Sequence, residues 1–169
     1  MLLVSACLCG LNCKYNGGNN LNPYFRELME EKKLIPICPE VLAGLKIPRR
    51  PSEIWGGSGN DVLDAKARVI NNEGIDLSQF FLKGAQETLA TALECKADRV
   101  VLKSRSPSCG VGQIYDGSFN GILRPGDGVT AALLKKHGFK VVNDEDFLRA
   151  ISPEKMIKNT GECEDSESS

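Results

Sequence analysis

Four short apolar runs punctuate the chain: LLVSA at 2–6, LIPI at 34–37, RVVLK at 99–103 and KVVN at 140–143. Runs of this length, rich in Val, Ile and Leu and without polar alternation, predict strands covered on both faces. Between them the period lengthens. NPYFRELMEEKK begins with Asn22 as an expected N-cap and Pro23 at the first helical position. DLSQFFLKGAQETLATALECKA keeps apolar residues at three- and four-residue spacings. DGVTAALLKKHG stops on Gly138, and EDFLRAIS reads as a last short helix. Strands alternating with helices predict an α/β fold, a Rossmann-like open and mostly parallel sheet with helices on both faces.

The pattern loosens between Pro39 and Gly74, where PEVLAGLKIPRRPSEIWGGSGNDVL is rich in Gly and Pro and ARVINN adds one small strand. A long irregular insertion in a compact domain is expected to cover a ligand site. From Pro153 the periodicity disappears into a polar, acidic stretch. The expected organisation is a single domain over 1–152 followed by a disordered tail over 153–169, in which Cys163 is incidental.

Composition narrows the function. At 169 residues the chain can bury one core without disulfides or a structural metal. Its 21 basic and 22 acidic residues leave a net charge of -1, so no basic footprint for a polynucleotide exists. No run is apolar enough to span a membrane, and MLLVSA is too short for a signal peptide, so a soluble, cytoplasmic protein is expected. There is no glycine fingerprint for a dinucleotide and no phosphate-loop lysine pattern, which leaves NAD and ATP without support. His137, the one histidine, precedes Gly138 at an expected helix end and suits that terminus rather than a metal.

Seven cysteines in such a chain point to metal-binding, catalytic or buried thiols rather than a disulfide framework. Cys7 follows the first expected strand, Cys38 the second, and Cys109 lies in the loop leaving the third, inside KSRSPSCGVG. Parallel strands place their carboxyl ends on one edge, where ligands bind, so these three distant thiols are expected to converge. Three thiolates without histidine suit a soft metal or an iron-sulfur cluster, and zinc held by three cysteines and a water stays open.

In order along the chain, VSACLCGLNCKYNGG, PICPEVLAGLKIPRRPSE, GNDVLDAKARV, LKSRSPSCGVGQIYDGSFNG and GDGVTAALLKKHG closely resemble the small bacterial and archaeal family that contains the thiouracil desulfurases. The resemblance covers roughly residues 1 to 150. It implies a Rossmann-like domain with a 4Fe-4S cluster on three protein ligands, Cys7, Cys38 and Cys109, and a fourth iron open to substrate or sulfide. It further implies that Glu40 of the Cys-Pro-Glu motif and Ser106 of Ser-Pro-Ser-Cys act in proton transfer or substrate positioning. Cys9 stands where the family commonly has a plain apolar residue, and Asn16 where it often has aspartate.

The expected reaction is non-redox hydrolytic desulfuration of a thiolated nucleobase or nucleotide, 2-thiouracil to uracil with release of sulfide, the cluster serving as a Lewis acid. Two rivals are a persulfide or thiol sulfurtransferase using Cys109 as nucleophile, and a non-catalytic iron-sulfur sensor. Arg49, Arg50 and Glu53 in the covering segment and Lys103 at a strand end are weaker candidates for substrate contacts. Cys9 and Cys13 are expected to lie outside the ligand set.

Overall fold

The computed structural model describes residues 1–151; the tail expected from Pro153, with Cys163, lies outside them. Its centre is a four-stranded parallel sheet of β1 (Leu2–Ser5), β2 (Leu34–Ile37), β5 (Arg99–Leu102) and β8 (Val141–Asn143), in the order β2-β1-β5-β8. In register, Leu3 faces Ile35 on one side and Val100 on the other.

Strand alternation divides the core. Leu3, Val100 and Leu102 point to one face, where they meet Ala92 of α4 (Ser78–Glu94) and Ala131 and Leu134 of α5 (Val129–Lys136). Val4 and Val101 point to the other, against Phe25 of α1 (Pro23–Glu30) and Phe147 of α6 (Asp144–Ala150). Helices therefore cover both faces, as the buried apolar runs require. The Asn22 side chain accepts from the Tyr24 N–H at 3.0 Å and starts α1 as expected.

Two expectations change. The first strand ends at Ser5, and Ala6–Cys9 form a 3-10 turn that Gly10 closes in the left-handed region at φ 89°. Residues 39–74 are also not an irregular loop. They contain α2 (Pro39–Leu42), β3 (Ser52–Trp55), α3 (Gly59–Leu63) and β4 (Arg68–Asn71), with β3 and β4 paired antiparallel. Ile54, Val62 and Val69 bury themselves there with Phe81 and Ile114 in a third apolar cluster. A further antiparallel pair joins β6 (Gln113–Tyr115) to β7 (Leu123–Pro125). Strands of three or four residues between glycines and prolines are too short to show a period.

The topology selects a site. β1 leads to β2 on one side, but the next strand of the sheet, β5, lies on the other. The crossing direction reverses between β1 and β5, which opens a crevice outside their carboxyl ends.

Candidate active site

That crevice is a cavity of about 460 Å³. Cys7, Cys38, Cys109, Glu40 and Ser106 all line it, so all five residues singled out from the sequence meet there. Cys13, Arg49, Lys103 and Ser108 line it as well.

Each thiol is placed by local backbone chemistry. Cys7 sits in the 3-10 turn after β1, and its carbonyl accepts from the Gly10 and Asn20 N–H groups at 3.2 and 2.9 Å, folding the 13–20 loop back over the cavity. Cys38 follows β2 at once and is the N-cap residue of α2. Pro39 occupies the first helical turn, which carries Glu40 into the cavity wall. Cys109 is held by a serine turn: the Ser106 hydroxyl oxygen accepts from the Ser108 and Cys109 N–H groups, both at 3.1 Å. The N–H groups of Val129 and Thr130 at the start of α5 donate to the Pro107 and Ser108 carbonyls at 2.8 and 2.9 Å, which fastens this loop to the body. A Cβ on Gly128 would stand 2.6 Å from the Ser108 carbonyl oxygen, so this approach requires glycine.

The thiols differ in electrostatics. The Cys13 thiol, with one proton, lies beside the sulfurs of both Cys38 and Cys7, and their pull on that proton pushes its own ionisation up. The hydrogen bond from Cys13, helped by Asn20 and the charge of Lys103, lowers Cys7 to about 7. Cys38 is lowered by the same thiol and by the Val41 N–H. Burial raises Cys109 to about 12 despite hydrogen bonds from Ser5 and Ser108. Burial also raises Cys9, fully enclosed in the core behind Cys7, to about 11.

The charged residues divide by partner. Arg49 donates from Nε to Glu40 Oε2 at 2.7 Å and from Nη2 to the Cys13 carbonyl at 2.9 Å. Ser108 Oγ donates to the other carboxylate oxygen, Glu40 Oε1, at 3.1 Å. Lys103 bonds Asp144 Oδ2 at 2.9 Å and Ser104 Oγ at 2.8 Å, and remains on the cavity wall. Glu53 is a clamp: its Oε2 accepts from the Gly117 and Phe119 N–H groups at 2.9 and 3.0 Å, holding the β6–β7 turn against β3. Arg50 pairs with Glu73 in solvent away from the cavity. His137 caps the end of α5, its ring Nδ1 3.0 Å from the Leu133 carbonyl.

The sequence reading missed Ser108 and left Cys13 and Arg49 undecided. Adjacency to Cys109 in SPSCG was the one available signal for Ser108.

Four thiols and no histidine are a soft donor set. Among the described residues no three or more Cys, His, Asp or Glu side chains gather tightly enough for one metal ion. Such a donor set suits an iron-sulfur cluster, whose irons take thiolates, and it suits a thiolate-held zinc as well.

Comparison with known proteins reaches the same region of protein space. A family model described as 2-thiouracil desulfurase matches residues 2–146. Uncharacterized protein YbbK of Bacillus subtilis (strain 168) is 47% identical over 147 residues, covering 87% of this chain and 97% of its own. A solved structure of the 4Fe-4S-dependent thiouracil desulfidase TudS superposes with a TM-score of 0.76 at 34% identity, over 88% of this chain and 93% of that one.

Proposed function

The chain belongs to the 2-thiouracil desulfurase family, and from that premise we propose that it hydrolyses thiolated nucleobases, 2-thiouracil and water giving uracil and hydrogen sulfide with no net redox change. The observation that carries this reading is the meeting of Cys7, Cys38 and Cys109 with Glu40 and Ser106 on one cavity at the switch point of the sheet.

Cys7, Cys38 and Cys109 would hold a 4Fe-4S cluster, and such a cluster, on three protein ligands, supplies an open iron that acts as a soft Lewis acid toward a thiocarbonyl sulfur. The chain supplies the rest. The Glu40 carboxylate, held by Arg49, accepts the proton of the attacking water. The Ser106 hydroxyl lines the same cavity and, through the turn it holds, positions the groups around the substrate.

The sulfurtransferase reading fits less well. A nucleophilic thiol needs exposure and a depressed pKa, whereas Cys109 is buried and raised to about 12.

Protein purified without oxygen and reconstituted is expected to carry iron and acid-labile sulfide and to convert 2-thiouracil to uracil and sulfide in equal amounts. Iron-free protein after reconstitution would remove the cluster reading. A stable cluster with no sulfide from any thiolated base would turn the assignment to a sensor.

A further inference from the structure

Glu40 and Ser106 line the same cavity but share no hydrogen bond between them among those of the described residues; Ser108 stands in between. Its Oγ is 3.1 Å from Glu40 Oε1 and 3.0 Å from Ser106 Oγ. The direction of each bond follows from counting lone pairs. A serine hydroxyl has one proton and two acceptor positions. Ser106 Oγ spends both acceptor positions on the N–H groups of Ser108 and Cys109. It can therefore only donate toward Ser108. Ser108, having accepted, has one proton left and two acceptors in reach, Glu40 Oε1 at 3.1 Å and Cys109 Sγ at 3.6 Å. A carboxylate is the stronger acceptor and the nearer one.

The far end of the chain is also fixed. Arg49 takes Glu40 Oε2 at 2.7 Å, which turns Oε1 toward Ser108. Ser108 is only 2% exposed, so bulk water does not compete for its hydroxyl.

We infer that Ser108 is a one-way proton relay from the attacking water to Glu40, with Ser106 orienting its hydroxyl by donating to it and Arg49 as the positioning residue at the far end. The inference rests on the desulfuration reading and adds the path by which Glu40 serves as base. As water adds to the thiocarbonyl carbon, its proton passes to the acceptor position left on Ser108 Oγ, which lines the cavity, and the Ser108 proton passes to Glu40 Oε1. One proton has then moved from water to the carboxylate, a lone pair of the water oxygen has formed the new carbon–oxygen bond, the C=S π pair has moved onto sulfur, the O–H pair stays on oxygen, and Ser108 is unchanged.

The test compares reconstituted wild type with Ser108→Ala and Ser108→Thr. Removing the hydroxyl is expected to lower kcat by about tenfold or more, with KM within about twofold and iron and sulfide content unchanged. Threonine, which restores a hydroxyl, is expected to recover most of kcat. A Ser108→Ala enzyme with full cluster and kcat within about twofold of wild type overturns the relay. A second readout needs no turnover: the carboxylate stretch of Glu40, isolated by subtracting the infrared spectrum of Glu40→Gln, is expected to shift in Ser108→Ala. An unshifted band overturns the hydrogen bond on which the relay stands. If wild type releases no sulfide, the desulfuration reading falls by itself, and the infrared band still decides the link.

Discussion

Arg49 and Glu40 meet at 2.7 Å with side chains only 11% and 15% exposed, and the same guanidinium reaches 2.9 Å to the carbonyl of Cys13. One side chain thus ties α2 to the loop that carries Cys13. Replacing it with alanine strands a largely buried carboxylate and a carbonyl together. We expect Arg49→Ala to cost about 2 kcal/mol, which for a chain of this size is a fall of roughly 4–8 °C in Tm. Activity should fall further than stability explains, because Glu40 loses its fixed orientation. Arg49→Lys keeps the charge but lacks the forked donors, and should recover stability more than kcat. Thermal melts beside steady-state kinetics check both.

The ligand assignment predicts a split among cysteines that lie within a few residues of one another. Cys7→Ala, Cys38→Ala and Cys109→Ala should each lose most of their iron after anaerobic reconstitution. Cys9→Ala, far inside the core, should keep it. Cys13 is the sharper case, since its thiol touches both Cys7 and Cys38. On a three-ligand site, Cys13→Ala retains the cluster; loss of iron there would make Cys13 a ligand. Iron and sulfide per chain, with the visible absorption of the cluster, decide between them.

How far these residues could be read without coordinates depends on what placed them. Cys7 and Cys38 were legible because each lies one or two residues beyond the carboxyl end of a strand, and parallel strands bring those ends together; Cys109, in the loop after β5 and held by a serine turn, was legible from the SPSCG motif. Ser108 was not, because its neighbour Ser106 offers the same hydroxyl at almost the same place. Only the serine turn decides which one points at Glu40. Arg49 lies nine residues from Glu40, and nothing local says that the chain between them doubles back. The sheet of β3 with β4 escaped for a different reason, its strands being four residues long with Gly and Pro on their flanks. Thiols at strand ends were visible from regular structure and Cys109 from its motif, whereas Ser108 and Arg49, placed by loop geometry alone, were not.

In the cluster-free protein the thiols should differ in reactivity. Cys7 is lowered to about 7 by the Cys13 hydrogen bond, and Cys9 and Cys109 are raised to about 11 and 12 by burial. Iodoacetamide at pH 7.5 or so is therefore expected to label half-buried Cys38, also lowered, and then Cys7, and to leave Cys9 and Cys109 until unfolding. The same shifts act on stability. A thiol depressed by folding, as Cys7 is from an ordinary 9.0, contributes stability that is present above the unfolded value and lost as pH falls through about 7. The raised thiols of Cys9 and Cys109 contribute below about 9, and that contribution is lost as pH rises toward 11 and 12. Stability from these thiols should therefore peak between about pH 7 and 9. Mass-resolved alkylation and denaturant melts across that range measure it, and equal labelling of Cys7 and Cys109 in the folded protein would contradict the assignment.

The last prediction concerns a glycine that carries no chemistry of its own. Gly84 of α4 packs directly beneath α2, and a Cβ there would lie 2.2 Å from the Pro39 carbonyl oxygen and 2.8 Å from its carbon. Both are backbone atoms, so no side chain can swing aside, and the two helices must part. Pro39 lies between Cys38 and Glu40, so the displacement moves an expected ligand and the expected base at once. Gly84→Ala raises helix propensity, and on that ground alone it would stabilise α4. Overpacking wins instead: we expect a loss of about 1–3 kcal/mol, together with weaker iron retention and lower kcat. Gly74→Ala is the matched control. Its Cβ would enter open space, though φ is +80° there, so it should cost about 1 kcal/mol through backbone strain alone and leave iron content intact. If Gly84→Ala melted like Gly74→Ala and kept its iron, α2 would not be seated on α4 as closely as this fold requires.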